Sequence, residues 1–492
     1  GEMRYFVTFI FFPPRSREMQ VRHPTVGGDG RRRSPTRARA MSRLAVRLCA
    51  RHAPFLARRA CAPRQPACHG VSRRTLAVRA DSSSDASNRP KVLVIAGPTA
   101  VGKTSLSLRM ASALNGEIVS ADSVQVFEGL DVGASKLPVH ERCGIPHHLL
   151  DVADPSTEFG AGEFYTHALE AIESIVSRGK TPIVVGGTGM YLRWLISGKP
   201  PTPPSEPQAA ARAKEAVRAA AEGEMDRLKK MQPAGDDVGN GWAGAVRLLA
   251  DAGDPETANR LAENDWYRLE RAMEIVQTSG RPVGSFKPEG ESPYDFKCVV
   301  LTSPRVQLYR RVDTRVEHMV RDGMLEEAAM MLSMGIAPGS TPAARSIGYR
   351  QAMDFVERRA AAAASGPCRP EELLEFVETT QRATRAFAKR QFTWFRGEKP
   401  GLYTWLDASK GTRGELEDAV FAVFGGDTAV VGSSPCVDVT LGEVDDLVAK
   451  ELKRYAPTHT LVNTPEVSRE LCARVDELGR RLRRARELAA MR

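Results

Sequence analysis

The stretch "KVLVIAGPTAVGKTSLSLRMASAL", residues 91–114, decides the fold of this chain. It opens with a six-residue apolar run of strand length and closes with apolar residues at helical spacing. Between them lies a glycine-rich loop in the strand–loop–helix context that the G-x-x-x-x-G-K-[ST] pattern requires. The backbone N–H groups of such a loop and the helix N-terminus face an anion. The residues of this predicted phosphate cradle are Gly97, Pro98, Thr99, Ala100, Val101, Gly102, Lys103 and Thr104.

Strand and helix patterns alternate from residue 91 to about 198, which predicts an α/β fold with a P-loop-type, doubly wound parallel sheet. A proline-rich break at 197–207 is followed by helical sequence, including a long helix predicted near 263–280. We divide the chain into an N-terminal tail (1–90), the first part of a catalytic core (91–199), a helical insertion domain (200–290), the second part of the core (291–410) and a C-terminal extension of unassigned role (411–492).

The basic charge of the chain is concentrated in its first ninety residues. The whole sequence carries a net charge of +10, but residues 1–90 hold 19 Arg, no Lys and five acids, so the remainder is net acidic. An acid-free, Arg-rich stretch at 31–80 has the composition of an organelle transit peptide, with Met41 as a start and processing near Ala80. We expect import into the chloroplast, with the mitochondrion as the alternative; a disordered RNA-binding arm is the competing interpretation.

Other compositional features exclude several classes of protein. The eight cysteines include no C-x-x-C pair, which argues against a disulfide scaffold or a zinc ribbon. No stretch reaches the roughly 18 apolar residues of a membrane span, so we expect no membrane partner. We also expect a monomer.

Seven segments in order resemble the tRNA dimethylallyltransferases of the bacterial and organellar type. They are "GPTAVGKT" (97–104), "SADSVQVFEGLDVGASK" (120–136), "IPHHLLDVADP" (145–155), "VVGGTGMYLRWLISG" (184–198), "NDWYRLERAMEI" (264–275), "ARSIGYRQ" (344–351) and "AFAKRQFTWFRG" (386–397). The resemblance implies transfer of a dimethylallyl group from dimethylallyl diphosphate to the exocyclic N6 amine of the adenosine 3′ of the anticodon in tRNA.

The resemblance also implies roles for residues at the reaction centre. Asp122 would accept a proton from the amine, a poor nucleophile, as the carbon–nitrogen bond forms. Thr188 would lie beside the amine and the donor. Lys103, the loop amides, Mg²⁺ held through the Thr104 hydroxyl, and Arg345 would neutralise the leaving diphosphate. A surface ion pair is the alternative for Arg345.

Recognition of tRNA is assigned to three groups of residues: the turn after Asp122, the segment 379–397, and the arginines at 268, 271 and 350. The turn after Asp122 would read the adenine, since a Gln can bond that base edge bidentately. The segment 379–397 has five Lys and Arg, no acid and interleaved aromatics, which favours either an RNA-binding patch or a solvated amphipathic helix. The predicted tRNA contacts are Ser123, Val124, Gln125, Arg268, Arg271, Arg350, Arg382, Arg385, Lys389 and Arg390.

Two other functions use the same phosphate loop. An adenylate isopentenyltransferase would prenylate free AMP, ADP or ATP, but the insertion domain and the basic aromatic segment favour a large RNA acceptor. A P-loop nucleotide kinase would use Asp122 to bind metal rather than to accept a proton.

Overall fold

The computed structural model describes residues 89–231, 239–288, 291–361, 366–457 and 459–491. The predicted transit peptide and its processing site lie outside these residues. The described chain forms two compact units: one spans 193–292, and the other combines 89–192 with 293–491. The first is called the helical unit and the second the sheet unit.

A six-stranded, wholly parallel sheet is the framework of the sheet unit, which confirms the predicted fold class. The strands are β1 Lys91–Ala96, β2 Gly116–Ala121, β3 His147–His148, β4 Thr181–Gly186, β5 Asp295–Thr302 and β6 Thr404–Asp407. Their spatial order is β3-β2-β4-β1-β5-β6. The strand that precedes the phosphate loop is therefore central, and residues 92–96 of its apolar run are buried.

Helices account for most of the remaining described structure. In chain order they are α1 Lys103–Ala113, α2 Ala161–Ser177, α3 Gly189–Ser197, α4 Pro207–Met231, α5 Trp242–Asp251, α6 Pro255–Arg260, α7 Trp266–Ser279, α8 Arg305–Asp322, α9 Met324–Ser333, α10 Pro342–Arg345, α11 Tyr349–Ala361, α12 Pro370–Arg396, α13 Arg413–Gly425, α14 Thr428–Ser433, α15 Asp446–Lys453 and α16 Pro465–Ala490. No helix among the described residues is both long and apolar enough to cross a membrane.

The register of the sheet brings the ends of three strands into one row. Ala96 of β1 pairs with Gly186 of β4, and Gly186 pairs in turn with Ala121 of β2. The next residue of each strand, Gly97, Asp122 and Gly187, therefore leaves the sheet at the same level. Because the strands are parallel, the loops that follow them meet at the carboxyl edge, where ligands of such sheets bind.

The helical unit has a core of its own, built from the apolar faces of α4, α5 and α7. Trp242 and Trp266 meet edge to face, with ring centroids 4.9 Å apart. Asp265 caps α7 by accepting from the N–H of Arg268 at 3.3 Å, and Gly280 ends it at φ 67°. Helix α5 begins at Trp242, and residues 232–238 lie outside the described chain.

The C-terminal extension packs against the sheet unit as part of its structure. Residue Val437 pairs antiparallel with Leu406 of the edge strand β6. Asp438 accepts a hydrogen bond from the Thr302 hydroxyl at 2.7 Å, deep in the unit. Helix α16 packs along α11 and α9. The extension is therefore a structural component of the sheet unit.

Candidate active site

The phosphate loop needs glycine at two positions for different backbone reasons. Gly97 has φ 143°, and a Cβ there would lie 2.7 Å from the carbonyl oxygen of Leu301 on β5. Gly102 has φ 111° at the N-terminus of α1, in open space. The first glycine permits close packing on the neighbouring strand, and the second permits the left-handed turn that starts the helix. The predicted phosphate cradle therefore has the backbone geometry that its sequence implies.

Lys103 lies inside this loop. Its Nζ donates to the carbonyl oxygens of Gly97 at 2.9 Å and Pro98 at 2.8 Å. Burial lowers the pKa of Lys103 to about 8; the Asp122 carboxylate opposes this shift and the Arg315 guanidinium adds to it. Thr104 is exposed in the first turn of α1. The loop thus presents a titratable ammonium and an exposed hydroxyl at a helix N-terminus.

Asp122 and Thr188 come together where β2 and β4 end. One carboxylate oxygen of Asp122 accepts from the N–H of Val124 at 2.9 Å, which fixes the turn. The Thr188 hydroxyl accepts from the N–H of Ser123 at 3.2 Å and lies 3.4 Å from the Ser123 hydroxyl. The second oxygen of Asp122 accepts no hydrogen bond from the described part of the chain. A carboxylate held by one oxygen and open at the other can accept a proton.

Two residues that sequence reasoning missed complete the centre. Gln391 of α12 is buried, and its Oε1 accepts from the N–H of Thr99 while its Nε2 donates to the carbonyl of Gly187, both at 3.0 Å. It ties the phosphate loop to the turn that carries Thr188. The segment 386–397 contains this residue, but its role depends on which element α12 packs against.

Arg315 of α8 is the second missed residue. It is half-buried, and its Nε donates to the Ser135 hydroxyl at 2.9 Å. Burial lowers its pKa, while the charge of Asp122 opposes that shift. The same guanidinium acts electrostatically on Lys103, so its positive charge reaches both groups of the centre.

Gln125, predicted to read adenine, uses both ends of its amide within the protein. Its Oε1 accepts from the Ser120 hydroxyl at 2.9 Å, and its Nε2 donates to the carbonyl of Ala134 at 3.2 Å. The side chain therefore fixes the turn that follows β2. Val124 and Ser123 lie in the same turn, half-buried.

Most of the predicted basic contacts outside α12 form internal ion pairs. Arg345 is exposed and lies 3.6 Å from Glu158, the surface pair named above as its alternative. Arg350 bonds Asp354 at 2.9 Å and the carbonyl of Pro338 at 2.6 Å. In the helical unit, Arg268 pairs with Asp265 at 3.3 Å and Arg271 with Glu274 at 2.6 Å. These ion pairs do not favour the predicted role of Arg345 at the diphosphate or those of Arg268, Arg271 and Arg350 in tRNA binding.

The cations of α12 divide into two kinds. Arg385 forms an ion pair with Asp313, which is wholly buried, and Arg390 is half-buried with its guanidinium 5.8 Å from the Phe387 ring. Arg382 and Lys389 are exposed. Of the four cations of α12 that are predicted to contact tRNA, only Arg382 and Lys389 are therefore exposed.

The adjacent His147 and His148 form the short edge strand β3. His148 bonds the buried carboxylate of Glu117 at 2.7 Å. Burial alone would raise the pKa of Glu117, but hydrogen bonds from Lys180 and His148 lower it to about 2. No group of three or more metal-ligating side chains occurs among the described residues.

Comparison with known proteins gives consistent matches. Residues 125–398 match the family described as "IPP transferase", and residues 90–146 match the one described as "Isopentenyl transferase". The chain is 38% identical to tRNA dimethylallyltransferase 9 of Arabidopsis thaliana, over 80% of this chain and 86% of the relative. It is 37% identical to a tRNA dimethylallyltransferase of Protochlamydia amoebophila, over 65% and 85% respectively. A solved tRNA isopentenylpyrophosphate transferase of Bacillus halodurans is 29% identical over 70% of this chain and 100% of its own, with a TM-score of 0.47.

Proposed function

The chain belongs to the tRNA dimethylallyltransferase family, and we infer on that premise that it transfers a dimethylallyl group from dimethylallyl diphosphate to tRNA. The acceptor is the exocyclic N6 amine of the adenosine 3′ of the anticodon. One observation carries this inference: the phosphate loop, Asp122 and Thr188 follow three adjacent strands that end in the same row of the sheet. Donor and acceptor groups are thereby held at one edge.

We propose that Asp122 is the general base. The lone pair of an adenine amine is delocalised into the ring, so attack requires removal of a proton as the new bond forms. The open oxygen of Asp122 accepts that proton while the other oxygen keeps the carboxylate fixed on the Val124 amide. The Thr188 hydroxyl, bonded to the adjacent Ser123, positions the amine against the donor carbon.

We propose that the leaving diphosphate is held by the loop amides, Lys103 and Arg315. The allylic carbon–oxygen bond breaks as the carbon–nitrogen bond forms, and negative charge grows on the diphosphate. The loop amides and the two cations stabilise that charge in place. Mg²⁺, when bound, would add further neutralisation of the diphosphate; the exposed Thr104 hydroxyl suits an ion that keeps most of its waters and takes few protein ligands.

Incubation of the protein with labelled dimethylallyl diphosphate and one acceptor at a time tests this function. We expect label in unmodified tRNA that carries an adenosine at that position, and none in AMP or ATP. Label in free nucleotide would instead identify an adenylate isopentenyltransferase. Rapid ATP hydrolysis or phosphoryl transfer without any prenylation would identify a nucleotide kinase.

We also propose that the protein is imported into an organelle, the chloroplast before the mitochondrion. The Arg-rich, acid-free stretch at 31–80 and the change to acidic, Ser-rich sequence after it support this. A reporter fused to residues 41–95 should enter the organelle and be cut near Ala80. A reporter that stays in the cytosol would contradict the proposal.

A further inference from the structure

Helix α8 (Arg305–Asp322) buries two of its acids and exposes several of its basic residues. Asp313 and Glu317 are wholly buried. Arg310, Arg311 and His318 are exposed. A surface helix ordinarily interleaves charges of both signs, which neutralise each other at i, i+4 spacing. Here Arg310 and Arg311 have no exposed acid three or four residues away on their own helix.

The buried acids are bound by residues of other elements. Asp313 accepts from the Tyr455 hydroxyl at 2.7 Å and pairs with Arg385. Glu317 accepts from the backbone N–H groups of Thr460 at 3.1 Å and Leu461 at 2.7 Å. Neither carboxylate is available to the exposed cations.

An open cavity of about 420 Å³ lies over the cationic face. Its walls are Arg310, Arg311, Thr314, Arg315 and His318. Within the described residues, neither Arg310 nor Arg311 forms an ion pair with a carboxylate. Arg321, farther along the same helix, does pair with Asp322, at 2.7 Å. This open face of α8 is therefore lined by three arginines, a histidine and a hydroxyl, and by no acid.

Arg315 joins this cavity to the reaction centre. It contributes to the cavity wall, and its charge acts on Asp122 and Lys103. Guanidinium groups bind phosphate oxygens bidentately. Arg310, Arg311 and Arg315 together therefore favour a compact, highly charged phosphate ligand. RNA carries one charge per phosphate, spaced along its backbone, and suits cations dispersed over a longer surface.

We propose that this cavity is an outer anion site, which holds the diphosphate of the allylic donor as it approaches the phosphate loop and the diphosphate product as it leaves. The proposal rests on the proposed function for the identity of the donor. A field focused by unneutralised cations raises the rate at which a charged ligand arrives, by tenfold or more, and salt weakens it. Arg310 and Arg311 therefore act on capture of the donor, whereas the chemistry occurs at the strand ends.

The test compares two double variants of the full chain. Arg310→Gln with Arg311→Gln removes the site; Arg480→Gln with Arg481→Gln removes two adjacent exposed arginines of α16 and the same net charge. Steady-state kinetics with dimethylallyl diphosphate, titration with inorganic pyrophosphate and tRNA binding are measured for each at low and high salt. Melting temperatures confirm that both variants are folded.

We expect the α8 variant to lose about tenfold in kcat/KM for the donor at low salt, with kcat within about twofold and the difference reduced at high salt. Its affinity for pyrophosphate should fall in parallel, while tRNA affinity and the control variant stay unchanged. Weakened tRNA binding with unaltered donor kinetics would overturn the proposal and assign the cavity to RNA phosphates. Unchanged donor kinetics together with unchanged tRNA binding would also overturn the proposal and show that this face of α8 is only solvated. Because pyrophosphate binding needs no transfer, it still tests the site if the wild type proves not to prenylate tRNA.

Discussion

Helices α8 and α12 pack against each other in the sheet unit, and both are basic, yet they use their cations differently. On α12, part of which the sequence predicts as either an RNA-binding patch or a solvated amphipathic helix, Arg385 neutralises the buried Asp313. On α8, to which the sequence assigned no role, Arg310 and Arg311 stand over an open cavity. Asp313, the acid that neutralises Arg385, lies 72 residues earlier in the chain. A run of basic residues therefore does not show which cations are free, because their partners come from other elements.

The largest effect is expected for the proposed base, Asp122, which lies on neither helix. Asp122→Asn should reduce kcat by at least ~100-fold, because an amide cannot accept the proton of the amine. Binding of dimethylallyl diphosphate, measured by equilibrium titration, should stay close to wild type. Near-normal turnover would show that Asp122 is not the base and that another residue accepts the proton.

Arg385→Gln probes the structural use of a cation on α12. Removing it leaves Asp313 buried without its charged partner, which should lower the free energy of unfolding by about 3 kcal/mol. Chemical denaturation measures the decrease, and tRNA affinity at a temperature where the variant is folded should change little. A stable variant with weakened tRNA binding would reverse the assignment of this residue.

The effect of Arg315 of α8 on the reaction centre should appear in the pH dependence of kcat/KM for the donor. The pKa of Lys103 is lowered to about 8 by burial, with Arg315 contributing and Asp122 opposing. The amine is charged below that pH and neutral above it, so kcat/KM for the donor should fall by up to tenfold per unit above about pH 8. Arg315→Gln should move the fall to higher pH, because it removes a neighbouring positive charge. A profile that stays flat to pH 10 would contradict the role of Lys103.

The smallest effect is expected for the exposed cations of α12. Arg382→Gln with Lys389→Gln should weaken tRNA binding several-fold and reduce the salt slope by roughly 0.7–0.9 for each RNA phosphate that the variant no longer neutralises. Stability should not change, since both side chains are exposed. An unchanged salt slope in this double variant would leave α12 as a solvated helix, and the RNA surface would have to lie elsewhere.

The sequence predicted the parts of the centre that depend on local geometry. The phosphate loop, Asp122 and Thr188 each follow a strand directly, and parallel strands bring such ends to one edge whatever the rest of the chain does. Gln391 and Arg315 were missed because each contacts residues that are far away in the sequence and come close only in the folded chain. The bonds of Gln391 reach Thr99 and Gly187, separated from it by 292 and 204 residues. Arg345 and Arg271 had the right charge for their predicted roles, but neighbouring carboxylates pair with them.

The engagement of Glu317 by Thr460 and Leu461 has a consequence for synthesis of the chain on the ribosome. The carboxylate and the first of these amides are 143 residues apart, which at ordinary elongation rates is on the order of 10 s. During that interval the Glu317 carboxylate lacks these backbone donors, so its burial with α8 is unfavourable. We therefore expect the sheet unit to complete its folding only after residue 461 has emerged, and nascent chains that stall earlier to depend on chaperones.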